Sequence, residues 1–238
     1  LTANNSVSLS GGTEKIKTYF SVANSHSNGM LESNNYNRNT LSFRQSYNFW
    51  NRVNIDVNAN YVQTKTNNRI GGGTVGNPLY DLYTMPRTVD LAYYRNHIST
   101  LGNWQSAERS YFKADPVTGA YTETSGRSQL SGPLQEWAFQ TAEKNNPYWL
   151  LNKNNSVSQD DRFYGNLQGR FDIYDGLAFQ ARVSIDHSRY SAEGKTYATT
   201  WGPQAMNDFG TYYLSNNRTN EIYTDYLLSY NKQIQDWS

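Results

Sequence analysis

The sequence predicts an all-β fold, a segment of an antiparallel transmembrane β-barrel with about seven strands. Two patterns support this class: apolar and polar residues alternate over long stretches, and short turns alternate with long loops along the chain. Composition agrees, because 37% of the 238 residues are hydrophobic while 15% are aromatic. Disordered chains are poor in aromatic residues, so disorder is not predicted. The low hydrophobic content together with many aromatic residues instead indicates strands whose two faces meet different surroundings.

Seven stretches show the alternation that places apolar residues on one face of a strand. In chain order they lie around Val7 and Leu9, and over Ile16–Val22, Leu41–Phe49, Val53–Tyr61, Phe163–Ile173, Leu177–Asp186 and Ile222–Tyr230. Most are about 9–13 residues long, near the 9–11 that a membrane-spanning strand needs and longer than the ~5–6 of soluble strands. The faces headed by Ile55 and Phe179 are expected to meet lipid, and those with Asp56 and Arg182 the barrel lumen.

The connections alternate in length. Tight turns are predicted at Gly11–Lys15, Trp50–Arg52 and Tyr174–Gly176, and longer loops at residues 25–37, 66–160 and 190–220. Outer-membrane barrels have this order because short turns lie on the periplasmic side and long loops outside. A soluble β-sandwich has no reason to keep it.

The segment Thr66–Asp160 is interpreted as one long extracellular loop with short helices within it. One helical turn is predicted at Asn77–Tyr83. A second helix is predicted over Pro133–Glu143, because Pro133 suits a first turn and the apolar residues that follow share one face.

Several classes of function are excluded or disfavoured. The chain has no cysteine, so disulfide bonds and sites that need a thiol are excluded. Its net charge of +1 gives no argument for nucleic-acid binding. No run of ~18 apolar residues is present, so no transmembrane helix is predicted. The three histidines lack metal-ligand spacing, Gly71–Gly76 lacks the strand and helix of a dinucleotide site, and no nucleophile–base grouping appears. We therefore predict that the protein is not an enzyme and uses no cofactor or metal.

Loop aromatic residues are the candidate contact site for a ligand or a partner. They lie outside the predicted strands and comprise Trp104, Trp137, Tyr148, Trp149 and Trp201. The alternative is that they pack within the loops or form an interfacial aromatic girdle.

Several runs resemble SusC/RagA-type TonB-dependent transporters of Bacteroidetes outer membranes. Val7–Lys15 with Thr18–Ser21 is similar to the first barrel hairpin of that family. Asn28–Leu31 followed by Tyr36–Arg38 resembles the loop after that hairpin in the family. Asn146–Trp149 followed by Asp161–Asn166 resembles a further characteristic run. These motifs cover most of the chain and occur in the expected order.

The resemblance implies the early part of a plugged barrel of about 22 strands. It implies TonB-dependent import of an oligosaccharide or peptide nutrient across the bacterial outer membrane, with a SusD-like surface lipoprotein as partner. The family's plug and TonB-contacting segment would precede Leu1, so we expect a processed or partial polypeptide, and the energy-coupling residues cannot be mapped. The alternatives are a soluble or surface carbohydrate-binding β-sandwich and, with least support, a β-rich hydrolase.

Overall fold

The computed structural model describes residues 1–50, 52–70, 73–139, 144–202 and 206–232, apart from the side chain of Tyr111. The chain is mostly antiparallel β-structure, as the sequence predicts at this level. It divides into two compact units. The first, called the sheet unit, comprises Leu1–Asn67, Val157–Ala192 and Leu214–Ser238; the second, called the loop unit, comprises Asn68–Ser156 and Glu193–Tyr213.

All seven predicted strands form one antiparallel sheet. Their bounds are β1 Thr2–Gly12, β2 Ile16–Asn28, β3 Asn35–Phe49, β4 Val53–Asn67, β9 Asn155–Tyr174, β10 Leu177–Thr196 and β11 Thr211–Tyr230; β5–β8 belong to the loop unit and are given below. The order across the sheet is β1-β2-β3-β4-β9-β10-β11, so β1 and β11 are its edges. No closed barrel is present among the described strands, and each is as long as or longer than its predicted stretch.

Short turns occupy one end of the sheet and long connections the other. The turns after β1, β3 and β9 are two or three residues long, and Trp50 and Gly176 adopt positive φ in two of them. The connections after β2, β4 and β10 span residues 29–34, 68–154 and 197–210. These connections are shorter than the predicted loops because the strands extend further into them.

The strand register assembles the apolar positions into one surface, called the apolar band. Residues directly opposite each other in an antiparallel pair share a face. Val57, for example, is opposite Gln45 on β3 and Leu167 on β9. The members are Val7, Leu9, Ile16, Phe20, Val22, Leu41, Phe43, Tyr47, Phe49, Val53, Ile55, Val57, Ala59, Tyr61, Phe163, Leu167 and Phe171. Gln45 interrupts the band, but its Nε2 donates to the Tyr47 hydroxyl at 2.5 Å.

A row of polar side chains ends the apolar band on the side of the long connections. Asn24 Nδ2 donates to Asn39 Oδ1 at 2.7 Å, and Asn39 Nδ2 lies 3.4 Å from Gln63 Oε1. Gln63 Nε2 then donates to Asp161 Oδ1 at 2.9 Å. This set, called the amide row, crosses β2, β3, β4 and β9 on the same face as the band, so the change from apolar to polar is abrupt.

The opposite face of the sheet is polar. Ser46 Oγ donates to Asp56 Oδ1 at 2.5 Å. Ion pairs join Arg162 to Asp186 and, at 2.7 Å, Arg182 to Asp225. The two faces of the sheet therefore suit different surroundings.

The loop unit contains three helices and two hairpins. The helices are α1 Pro78–Thr84, α2 Leu91–Asn96 and α3 Pro147–Lys153, and the paired strands are β5 Ser99–Gln105 with β8 Gln129–Gln135 and β6 Arg109–Ala114 with β7 Tyr121–Gly126. The predicted helical turn at Asn77–Tyr83 matches α1, whose Asn77 side chain accepts from the Leu79 amide. No helix in the described residues is long and apolar enough to cross a membrane.

The predicted helix over Pro133–Glu143 is wrong where it can be compared. Pro133 and Leu134 lie in β8, opposite Leu101 and Thr100 of β5. Strand pairing with a distant segment outweighs the local helical spacing. Residues 140–143 of the prediction lie outside the described residues.

Candidate functional site

The interior of the loop unit is built around the adjacent residues Asn145 and Asn146, called the asparagine hub. Both are fully buried, each at 0% exposure. They directly precede α3, whose first helical residue is Pro147, and proline is favoured at that position because its missing N–H is not needed there. The hub thus follows from a cap-and-helix sequence that is folded into the interior.

Asn145 connects three segments of the chain. Its Oδ1 accepts from Gln135 Nε2 and from the Trp201 amide, both at 2.8 Å, and its Nδ2 donates to the Trp201 carbonyl at 3.0 Å. Its backbone N–H donates to Asp81 Oδ2 at 3.2 Å. A single side chain therefore links β8 to the backbone of Trp201.

Asn146 extends the same network. Its Oδ1 caps α3 by accepting from the Tyr148 amide at 2.9 Å, and its Nδ2 donates to the carbonyls of Tyr94 and Glu136. Buried amides are stable only when their donors and acceptors are paired, and these are paired with groups far apart in sequence. The hub is therefore a structural centre.

Asp81 is a buried acid that contacts the asparagine hub, and it is 1% exposed. Its Oδ1 has no hydrogen-bond partner in the described part of the chain. Burial raises the pKa of Asp81 to about 6, although the Asn145 amide and the nearby Lys144 charge act in the opposite direction. A carboxyl in this position is protonated in mildly acidic solution.

The stability of the loop unit is expected to fall as pH rises from about 4 to about 6. The pKa of the Asp81 carboxyl is 3.8 in the unfolded chain and higher in the folded chain. The stability that this carboxyl contributes is therefore fully present below pH 3.8 and is lost as pH rises through the folded pKa. The change is on the order of 3 kcal/mol. Asp81→Asn should remove this slope in tryptophan-fluorescence unfolding curves, whereas Glu123→Gln, at an exposed position, should keep it. An unchanged slope in Asp81→Asn would contradict the assignment.

Two of the five predicted contact residues are interior residues. Trp149 is 0% exposed; its Nε1 donates to Thr200 Oγ1 at 2.9 Å, and its ring meets that of Tyr197 edge-on. Trp137 is 5% exposed and packs edge-on against Tyr94, with ring centroids 5.0 Å apart. The apolar surface of both side chains is therefore covered by the loop unit itself, and their role in contacting a ligand or partner stays a prediction.

The other three predicted residues lie apart from one another. Tyr148 is half-buried beneath the guanidinium of Arg95, 5.8 Å from its ring centroid. Trp104 donates from Nε1 to the Asp208 carbonyl at 3.1 Å and lines a cavity of about 450 Å³. Trp201 lines a different cavity, of about 340 Å³. The five residues do not form one surface.

Both cavities include residues that the sequence analysis left out. Phe209 and Tyr212 accompany Trp104, and Tyr213 and Arg69 accompany Trp201. The available signal was that residues 190–220 hold several aromatic residues of their own. Their association with residues 68–156 depends on long-range pairing, which sequence spacing does not reveal.

Possible metal-ligating side chains do not cluster in the part of the chain that the structure describes. Within the described ranges, no group of three or more His, Asp or Glu side chains could hold a metal ion. The three histidines lie apart, with His26 bonded to Asn37, His97 to the Tyr93 carbonyl and His187 to Asn220.

No family model matches this chain, and no curated protein is significantly similar to it.

Proposed function

We propose that this chain is part of an outer-membrane transport barrel of the SusC/RagA, TonB-dependent type, which imports an oligosaccharide or peptide nutrient. The observation that carries the proposal is the apolar band. On β4 it runs from Val53 to Tyr61, and on β9 from Phe163 to Phe171, nine residues in each case. A membrane-spanning strand needs about 9–11 residues.

Every member of the apolar band is exposed or half-buried, and none is buried. Leu167 is 51% exposed, Phe171 45% and Leu9 73%. The buried hydrophobic residues of the sheet unit, among those described, are only Ala178 and Ala192. A β-sandwich would bury its aliphatic faces against a second sheet. Lipid is a medium in which an uncovered apolar face of this size is stable.

The polar face and the connections agree with the same proposal. Lumen-facing residues of such barrels are polar, and the ion pairs Arg162–Asp186 and Arg182–Asp225 lie opposite the band. Long connections leave one end of the sheet and short turns the other, as in barrels with extracellular loops. The edge strands β1 and β11 would pair with further strands of a barrel of about 22.

The partners of this function are those that the resemblance implies. A SusD-like surface lipoprotein would cover the extracellular connections, and TonB would be the energy-coupling partner. The finding of a gene for a surface lipoprotein beside the gene for this protein would support the pairing.

Fractionation of cells tests the proposal. The full-length protein is expected in detergent-extracted outer membranes, with the heat-dependent electrophoretic shift of a folded barrel. Recovery in the soluble fraction would contradict transport and favour a soluble binding module. A strain lacking the gene should also lose energy-dependent accumulation of the cargo.

A further inference from the structure

We propose that the 340 Å³ cavity of the loop unit binds a sugar-sized anion, a ring carrying a carboxylate or sulfate group, with Arg69 as the recognition residue. The inference rests on the proposed function in that such a ligand would be cargo. The cavity lies wholly within the loop unit, and its volume is near the lower end of the range for small-ligand sites, about 300–1,000 Å³. That size suits one ring better than a chain.

The charge of the described lining has one sign. Arg69 and Lys195 contribute positive charge, and no Asp or Glu is among the described residues that line the cavity. Lys195 Nζ is already paired with Glu193 Oε1 at 2.7 Å, which lies outside the lining. Arg69 is exposed and has no ion-pair partner among the described side chains, so it can offer the two-pronged donor geometry that carboxylate and sulfate groups accept.

Aromatic side chains supply the second element of the cavity. Trp201 and Tyr213 both line it. A Cβ atom at Gly194 would lie 2.0 Å from the Tyr213 ring, so only glycine allows this ring its position against the backbone. Tyr213 nevertheless remains 51% exposed. Aromatic rings beside polar groups are suited to stacking against the face of a sugar ring.

Polar and apolar residues complete the wall. Leu150 and Pro78 provide apolar surface, and Asn154 and Asn207 provide amides. Asn154 Oδ1 accepts from the Tyr197 amide at 3.0 Å, and Asn207 Oδ1 accepts from the Gly210 amide at 2.9 Å. These bonds hold the amides in place, so the wall is formed before a ligand arrives.

Calorimetric titration of the purified full-length protein tests the inference. The probes are D-glucuronate and N-acetylglucosamine 6-sulfate, with D-glucose as the uncharged comparison. At least one anionic probe should bind about fivefold to tenfold more tightly than D-glucose, the factor expected for a bidentate pair with an exposed arginine. The anionic probe that binds more tightly than D-glucose identifies carboxylate or sulfate as the recognised group.

Two arginine variants separate recognition from general charge. Arg69→Gln should abolish the preference for the anionic probe, whereas Arg87→Gln, at an exposed position outside the cavity, should keep it. Equal binding of all three probes, or an equal loss in both variants, would overturn the inference. Failure here with the protein still found in outer membranes would leave the transport proposal standing, because the binding assay requires no transport.

Discussion

Arginine in place of Leu167 is expected to remove most of the folded protein from the outer membrane. Leu167 lies in the middle of the apolar band, opposite Val57, and is 51% exposed. If that face meets lipid, an arginine there costs about 2–4 kcal/mol. The measurement is the amount of full-length protein with the heat-dependent electrophoretic shift in the outer-membrane fraction.

The adjacent residue gives a matched control. Gln168 lies on the other face of the same strand, opposite Asp56. Gln168→Arg should therefore assemble normally, because it adds the same charge to the polar face beside a carboxylate. Equal amounts of folded protein in the two variants would show that the two faces meet the same medium, which contradicts the barrel.

Alanine in place of Asn145 should destabilise the loop unit by on the order of 3–5 kcal/mol. The substitution removes one of the hydrogen bonds that Gln135 Nε2 donates and both bonds from the Asn145 side chain to the Trp201 backbone, all in or near the interior. Each buried group left unpaired costs about 1–3 kcal/mol. Trp104, Trp137, Trp149 and Trp201 all belong to this unit, so tryptophan fluorescence and protease resistance report its unfolding.

Asn152→Ala is the control for this substitution. Asn152 is exposed in α3, the helix that follows Asn145, and its Nδ2 donates a local bond to the Tyr148 carbonyl at 2.7 Å. Its loss should cost less than about 1 kcal/mol. Similar unfolding of the two variants would show that the asparagine hub does not hold the unit together.

Alternation predicted the strands well where one face is apolar. Val53–Tyr61 and Leu177–Asp186 both lie within observed strands, β4 and β10. The strand ends were missed because residues such as Asn216, Asn217 and Arg218 of β11 are polar on both faces. Such residues give no alternation, although pairing with a neighbouring strand still holds them extended.

The loop unit was harder to predict because its structure depends on distant contacts. Capping signals existed for the helices that the sequence analysis missed: Asp90 accepts from the Ala92 amide at α2, and Asn146 precedes Pro147 at α3. The burial of Trp149 and the bond from Gln135 to the Thr199 carbonyl join segments that are far apart in sequence. Local periodicity carries no information about either.

If the apolar band meets lipid, as proposed, the amide row limits the thickness of the bilayer in which the sheet is stable. Nine residues at about 3.3 Å each, tilted by about 40°, reach roughly 20–25 Å, less than the ~30 Å hydrocarbon layer of an average membrane. In a thicker bilayer Asn24, Asn39, Gln63 and Asp161 would lie within the acyl chains. The bacterial outer membrane is thinner than average. The folded sheet should therefore insert more readily into vesicles of short-chain lipids than into vesicles of long-chain lipids.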